Sequence, residues 1–269
     1  MQTLKHHTIV YDDECPMCDL YTRSFVRAGM LDETGREPFT DAKEILCHID
    51  RDRARDEIAL VNDRTGEVYY GVDSLMRIIS NSFPIFRPLF RNAVFYWLMK
   101  KFYAFISYNR KVIMPARKNQ NAQSCIPAFN IPYRVAYIVF SWIVTSWVLN
   151  AYVQTLSSFM PSGNFFREFL VCGGQIFFQG LFVIFFHERG VLNYAGNLMT
   201  ISLGGALALS IPLMLASVIQ SPFLFAGWFL IVVGCMLVEH MRRVRILGLS
   251  FGLTITWVCY RILVMLIII

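Results

Sequence analysis

The sequence predicts two structural classes in one chain, a small α/β domain at the N-terminus and an all-α bundle of transmembrane helices after it. Three observations predict this. Charge collapses partway along: residues 1–132 hold 18 Lys and Arg with 16 Asp and Glu, whereas the remainder hold 7 and 3. From Tyr133 onward apolar blocks reach about 20 residues, enough to cross roughly 30 Å of hydrocarbon at about 1.5 Å per residue. Before that point apolar residues come in short runs of strand or helix period, as in a water-soluble fold.

In the first half, Thr8-Ile9-Val10-Tyr11 reads as a strand and not as the apolar core of a secretion signal. Asp12, Asp13 and Glu14 follow, then Cys15-Pro16-Met17-Cys18, then Leu20, Tyr21, Phe25 and Val26 at helical spacing up to Gly29. Pro16 suits the first helical position, where its missing N–H has no intrahelical role, and Gly29 suits the C-terminal cap. Glu37 to Phe39 predicts a short strand and Ala42 to Cys47 a short helix. Residues 57–62 and 67–70 flank Asp63-Arg64-Thr65-Gly66 and predict a β-hairpin, followed by a helix from Gly71 to Asn81. Strand-helix, then strand-strand-helix, is the order of a minimal thioredoxin-like domain, assigned to residues 1–85.

Residues 86–132 predict a basic, aromatic juxtamembrane segment. From Phe86 to Lys118 every charge is positive, and Phe90, Phe95, Trp97, Phe102, Tyr103, Phe105 and Tyr108 are interleaved. Such a stretch is too charged to span, but its aromatic face suits headgroup depth, with anionic lipids as partners of residues 87–118. The alternative is a helix packed on the soluble domain with a solvated basic face. The net charge of +6 is no sign of nucleic-acid binding, because much of it sits beside the membrane segments.

The membrane domain is assigned to 133–269, with spans at about 133–155, 167–186, 193–215, 222–239 and 246–269. Basic residues precede the first span, His187-Glu188-Arg189 follows the second, and Arg242, Arg243 and Arg245 follow the fourth, while the loops at 156–166 and 216–221 carry no formal charge. By the positive-inside rule the N-terminal domain is expected in the cytoplasm and the C-terminus outside, in an integral protein of a bacterial inner membrane.

Disulfide exchange needs a thiolate nucleophile and a second thiol near enough to resolve the mixed disulfide. Two cysteines at i and i+3 opening a helix meet both needs. Cys15 at the helix N-terminus gains from unpaired N–H groups and the macrodipole, which favour the thiolate and make it the attacking thiol; Cys18, one turn on, is the resolving one. The acidic run Asp12-Asp13-Glu14 acts in the opposite sense, and the sequence leaves that balance open. Asp12, ending the strand, is the candidate proton acceptor from Cys18. The competing readings are a zinc site joining Cys15 and Cys18 to Cys47, His48, His6 or His7, and a purely structural pair. The zinc spacing is poor, since no second Cys-x-x-Cys or His-x-x-x-His completes it.

Tyr11-Asp12-Asp13-Glu14-Cys15-Pro16-Met17-Cys18 resembles the signature of the DCC family of thiol-disulfide oxidoreductases, Asp-Gly-x-Cys-x-x-Cys after the first strand. Gly66 to Asp73 resembles that family's second block, Phe102 to Arg110 its closing Tyr...Asn-Arg block, and Cys125-Ile126-Pro127 a terminal cysteine of some members. The resemblance covers about residues 6–127. It implies thiol-disulfide exchange with a protein thiol or disulfide partner and no cofactor beyond the redox-active disulfide. Two departures stand out: Asp13 occupies a position usually held by Gly, and no proline precedes Ile58-Ala59-Leu60-Val61, where a thioredoxin carries its cis-proline.

In the membrane half, Cys172, Cys235 and Cys259 lie singly within spans and read as small packing residues. His187-Glu188 and Glu239-His240 close the second and fourth spans at one face, a candidate metal, quinone or haem site or, on the blander reading, snorkelling residues at helix ends. Arg261 lies within the last span and is expected to face the bundle interior, with Gln175, Gln179, Asn193 or Asn197 as neighbours. The function predicted is a membrane-anchored thiol-disulfide oxidoreductase. The alternative is a transporter or small-molecule-binding membrane protein whose soluble domain is a redox or metal regulator.

Overall fold

β1 (His7–Tyr11) is the strand on which the N-terminal unit is built. It pairs in parallel with β2 (Arg36–Pro38) and antiparallel with β3 (Ala59–Asn62), which pairs with β4 (Val68–Tyr70), giving the order β2-β1-β3-β4. As the period-2 pattern requires, its alternate side chains serve opposite faces. Ile9, directly opposite Leu60, packs with Leu31, Ile58 and Ile78, while Val10, opposite Ala59, packs with Ala42, Ile49 and Val61. Ile9 and Leu60 are both fully shielded, so Leu60→Ala is expected to cost about 2–5 kcal/mol by transfer and cavity terms. Accelerated hydrogen exchange of the β1 and β3 amides in the full-length chain would report it.

The structure is a computed structural model that describes residues 1–42, 49–115, 129–187, 190–216 and 221–268. It divides into two compact units, Met1–Tyr133 and Arg134–Ile269. In the first, helix α1 (Pro16–Arg27) has Pro16 in its first turn, and Tyr21, Phe25 and Val26 face the core. Gly29 follows it at φ +67°, and the Met30 N–H reaches back to the Phe25 carbonyl at 2.9 Å, a glycine-terminated helix end. α2 (Arg51–Asp56) precedes the hairpin; the helix expected at 42–47 lies largely outside the described residues. The hairpin turn closes with the Asn62 side chain accepting from the Arg64 and Thr65 amides and Gly66 at φ +71°.

α3 (Val72–Ser82) follows, then a 3-10 turn at Pro84–Phe86, α4 (Arg87–Arg91) and α5 (Ala93–Ile113), which Asn92 caps through the Phe95 amide at 3.0 Å. α5 belongs to the same unit as the sheet. Its Tyr103 hydroxyl accepts the Ile58 N–H at 3.0 Å, and its Ser107 hydroxyl donates to the Asp56 carbonyl. Gly71, at φ +56°, passes so close to Tyr103 that an added Cβ would lie 3.2 Å from the ring. Tyr103 is thereby the residue that ties α5 to the hairpin.

Among the described residues four helices of the second unit are long and apolar enough to cross a membrane: α6 (Ile131–Gln154), α7 (Phe165–His187), α8 (Val191–Met214) and α9 (Pro222–Ile246). α10 (Gly252–Ile268) is shorter, 17 residues and so roughly 25 Å long. The chain is thus an integral membrane protein by its helices. The helices do not end with the predicted spans: α9 runs seven residues past 239, carrying Arg242, Arg243 and Arg245 within the helix, and the fifth helix begins at Gly252. The apolar pattern stops at Val238 because Arg side chains follow, but Glu239 pairs with Arg242 at 2.7 Å and Arg243 at 2.7 Å, and the helix continues. Phe177, Phe185, Phe223, Leu230 and Leu266 stand fully or largely exposed on the outer faces, the arrangement expected of a bundle solvated by lipid.

Candidate redox site

At the end of β1 the chain turns sharply into α1. The Asp12 carbonyl accepts the Cys15 N–H at 3.1 Å, and the Asp12 carboxylate accepts the Glu14 N–H at 3.1 Å. Cys15 is the N-cap of α1 in extended conformation, and Cys18 sits one turn in, where Thr22 donates to its carbonyl at 2.8 Å. Both cysteines are buried and both are free thiols. Asp13, at the family's Gly position, is exposed and has no left-handed backbone, so nothing in this turn demands glycine.

A buried positive charge reaches the site from far away in sequence. Arg110, near the C-terminal end of α5, is buried with one guanidinium nitrogen 3.2 Å from Asp12 Oδ2 and another 3.8 Å from Cys18 Sγ. A fork-shaped, permanently charged group is suited to bridge a carboxylate and a thiol in this way. Tyr21, from α1, shares a hydrogen bond with Cys18, and Lys111 approaches Asp12, Glu14 and Cys15.

The hydrogen bond between the two cysteines separates the thiols. The hydrogen bond from Cys18 lowers the Cys15 pKa to about 6 against the opposing effect of burial, with Arg110 adding to the lowering. Cys18 is pushed up, by holding that hydrogen bond as donor and by its own burial. Asp12 is raised by burial, against the pull of Arg110 and Lys111. Such a pair holds one poised thiolate, one protonated thiol and a carboxyl with raised proton affinity.

A mixed four-stranded sheet with a cysteine pair opening the helix after its first strand defines a thioredoxin-like dithiol domain. Residues 9–115 match the family model of the DCC1-like thiol-disulfide oxidoreductases, so the chain carries a domain of that family followed by its apolar helices. Searches of curated proteins and of solved structures find no match. The match runs through α4 and α5 and includes Arg110. Spacing alone does not mark Arg110 or Tyr21 as site residues; the signal for Arg110 lies in the Asn109-Arg110 block, and Tyr21 is legible only as one of the helix's periodic apolar residues.

Of the proposed zinc ligands, Cys47 and His48 lie outside the described residues, while His7 is buried with Nδ1 at 2.8 Å from the Lys5 carbonyl oxygen. Among the described residues no three His, Cys, Asp or Glu side chains gather to hold a metal.

The membrane candidates fall apart into separate groups. Glu188 lies outside the described residues, and His187 is described only as the last residue of α7. Glu239 and His240 are not at a helix end. Glu239 binds Arg242 and Arg243, and Arg243 also donates to Asn197 at 2.9 Å. His240 is buried between Tyr194, whose hydroxyl lies 3.0 Å from Nε2, and Thr254, 3.1 Å from Nδ1. Tyr194 in turn donates to Gln179 at 2.9 Å. Arg261 lies over the Trp257 ring with its charge facing Cys172, so Gln179 and Asn197, expected beside it, are engaged elsewhere.

Proposed function

We propose that this protein is a membrane-anchored thiol-disulfide oxidoreductase in which Cys15 attacks and Cys18 resolves. The observation that carries the reading is the separation of the two thiols by the hydrogen bond between them, Cys15 lowered to about 6 and Cys18 raised, with Arg110 beside the pair. In the oxidising direction the Cys18 thiol passes its proton to the Asp12 carboxylate. The Cys18 sulfur then attacks Cys15 in the mixed disulfide, the Cys15–Cys18 bond forms, and the partner's thiolate leaves. Two electrons pass from the pair to the partner's disulfide, and the reverse sequence, with a dithiol partner, restores the reduced pair. Arg110 acts as a positioning residue, holding Asp12 beside Cys18 and supporting the Cys15 thiolate.

Titration of the full-length protein against defined thiol-disulfide buffers, read by thiol alkylation, tests this directly. A two-electron transition confined to Cys15 and Cys18 is the expected result. A pair that stays reduced at every poise removes the function.

The anchoring is completed, in our reading, by anionic lipid at the outer face of α4 and α5. Leu89, Val94, Leu98 and Phe102 are exposed there beside Arg91. By the charge asymmetry of the loops this domain lies on the cytoplasmic side and the C-terminus outside. In nanodiscs, brominated lipids are expected to quench Trp97 more strongly when the bilayer is anionic. Arg91→Gln is expected to weaken that attraction by about 1 kcal/mol, and equal quenching in neutral and anionic bilayers would refute the contact.

A further inference from the structure

Within the membrane unit, α7 and α10 run side by side with a register set by their contacts. Gln179 meets Thr256 at 3.3 Å, Tyr260 donates to the Val171 carbonyl at 2.8 Å, and Cys172 faces Arg261. An added Cβ on Gly174 would lie 2.4 Å from the Tyr260 hydroxyl, so the helices are in close contact at this level. Gln175 lies between these levels. It is one turn from Cys172 and one turn from Gln179 on the same buried stripe of α7, and those two neighbours meet Arg261 and Thr256 of α10.

Gln175 is only 2% exposed, yet neither end of its amide has a hydrogen-bond partner. Trp257, also 2% exposed, has an unpartnered indole N–H, and so has the Nε of Arg261. In a bundle surrounded by lipid, polar groups find partners inside the protein because the hydrocarbon supplies none. Nearby polar groups at Gln179, Tyr194, His240 and Thr254 follow that rule through an unbroken chain of bonds. Among the exceptions, which also include the Ser141 and Thr145 hydroxyls on α6, this group is donor-rich: three N–H-bearing nitrogens against one amide oxygen. Among the described residues no carboxylate lies within ion-pair distance of Arg261, and its side chain is only half-buried.

We propose that Gln175, Trp257 and Arg261 form a binding site within the membrane unit for an apolar molecule carrying an acceptor oxygen group. A carboxylate and a conjugated carbonyl both have that chemistry. The carboxylate also neutralises Arg261, and either reaches the site from the bilayer on the half-open side of Arg261. The acceptor oxygen takes the Arg261 and Trp257 N–H groups, and Gln175 contributes its amide N–H.

The test is equilibrium binding of two probes, labelled oleate and labelled short-chain 1,4-benzoquinone, to the full-length protein in neutral nanodiscs. Saturable binding of one probe at one site per chain is expected, weakened roughly tenfold or more in Arg261→Gln and in Trp257→Phe. The second variant keeps the ring and removes only the N–H, so it tests the bond without emptying the core. Which probe saturates identifies the carboxylate or the carbonyl as the ligand. Gln175→Leu supplies a second readout. It is expected to raise the Tm of the ligand-free protein, because an orphaned amide is removed from an apolar site, while weakening binding. Absence of saturable binding by both probes overturns the site. So does binding that all three variants retain, or a Gln175→Leu that lowers Tm and leaves binding intact.

Discussion

Cys18→Ser is expected to accumulate mixed disulfides through Cys15, and Cys15→Ser to accumulate none. The asymmetry follows from the separated thiols. Cys15, lowered to about 6, is mostly thiolate near neutrality and attacks without help, whereas Cys18 is held protonated by burial and by its hydrogen bond to Cys15. With serine at 18 the mixed disulfide forms and is not resolved. With serine at 15 the remaining thiol loses that hydrogen bond but is still held protonated by burial, and does not start the exchange. Partner complexes captured from membranes under alkylating conditions and separated without reductant make the measurement. Equal trapping by both variants would reassign the attacking thiol.

Removal of Arg110 is the second large effect. The rate of Cys15 alkylation in the wild-type protein should rise with pH and reach half its plateau near pH 6. Arg110→Met should move that midpoint to about 7 or above, since an opposite charge at this range is worth about one to three pKa units. Asp12→Asn should move it the other way, because that carboxylate raises Cys15. The sign for the redox couple follows. A thiolate favoured in the reduced form makes the disulfide more oxidising, by about 30 mV at pH 7 for a pKa near 6 against one near 8.5. Arg110→Met should therefore become more reducing by about 20–30 mV, and Arg110→Lys should fall between the two because it keeps the charge and loses the fork. The attack rate is a poorer readout, since a less basic thiolate is also a weaker nucleophile. A midpoint near 6 in Arg110→Met would remove Arg110 from the site's electrostatics.

What the sequence determined by itself was whatever depends on neighbours along the chain. The change of solvent near residue 133 was legible because lipid selects apolar residues one by one. The strand-turn-helix around Cys15 and Cys18 was legible because Pro16, Gly29 and the spacing of Tyr21, Phe25 and Val26 are local signals. The β3–β4 hairpin was legible from Asp63-Arg64-Thr65-Gly66. The end of the helix α9 was not legible for the same reason: hydropathy counts Glu239, Arg242 and Arg243 as three costs, whereas at i, i+3 and i+4 they satisfy one another.

Only the tertiary structure supplied the buried positive charge beside Cys15 and Cys18. Locally the helix terminus and three acidic residues oppose each other, and no spacing rule weighs them. The largest lowering of Cys15 comes from the hydrogen bond of Cys18; α5 adds to it by folding back on the sheet, held by Tyr103 on Ile58, and delivering Arg110 to Asp12 and Cys18 from more than 90 residues away in the chain. The same holds in the membrane unit, where Arg261 was expected to find whichever amide was near. Helix register instead gave Gln179 to Tyr194 and Asn197 to Arg243, and left the buried Gln175 amide unpaired. Composition says that a buried polar group needs a partner; which partner it meets is set by how whole helices pack.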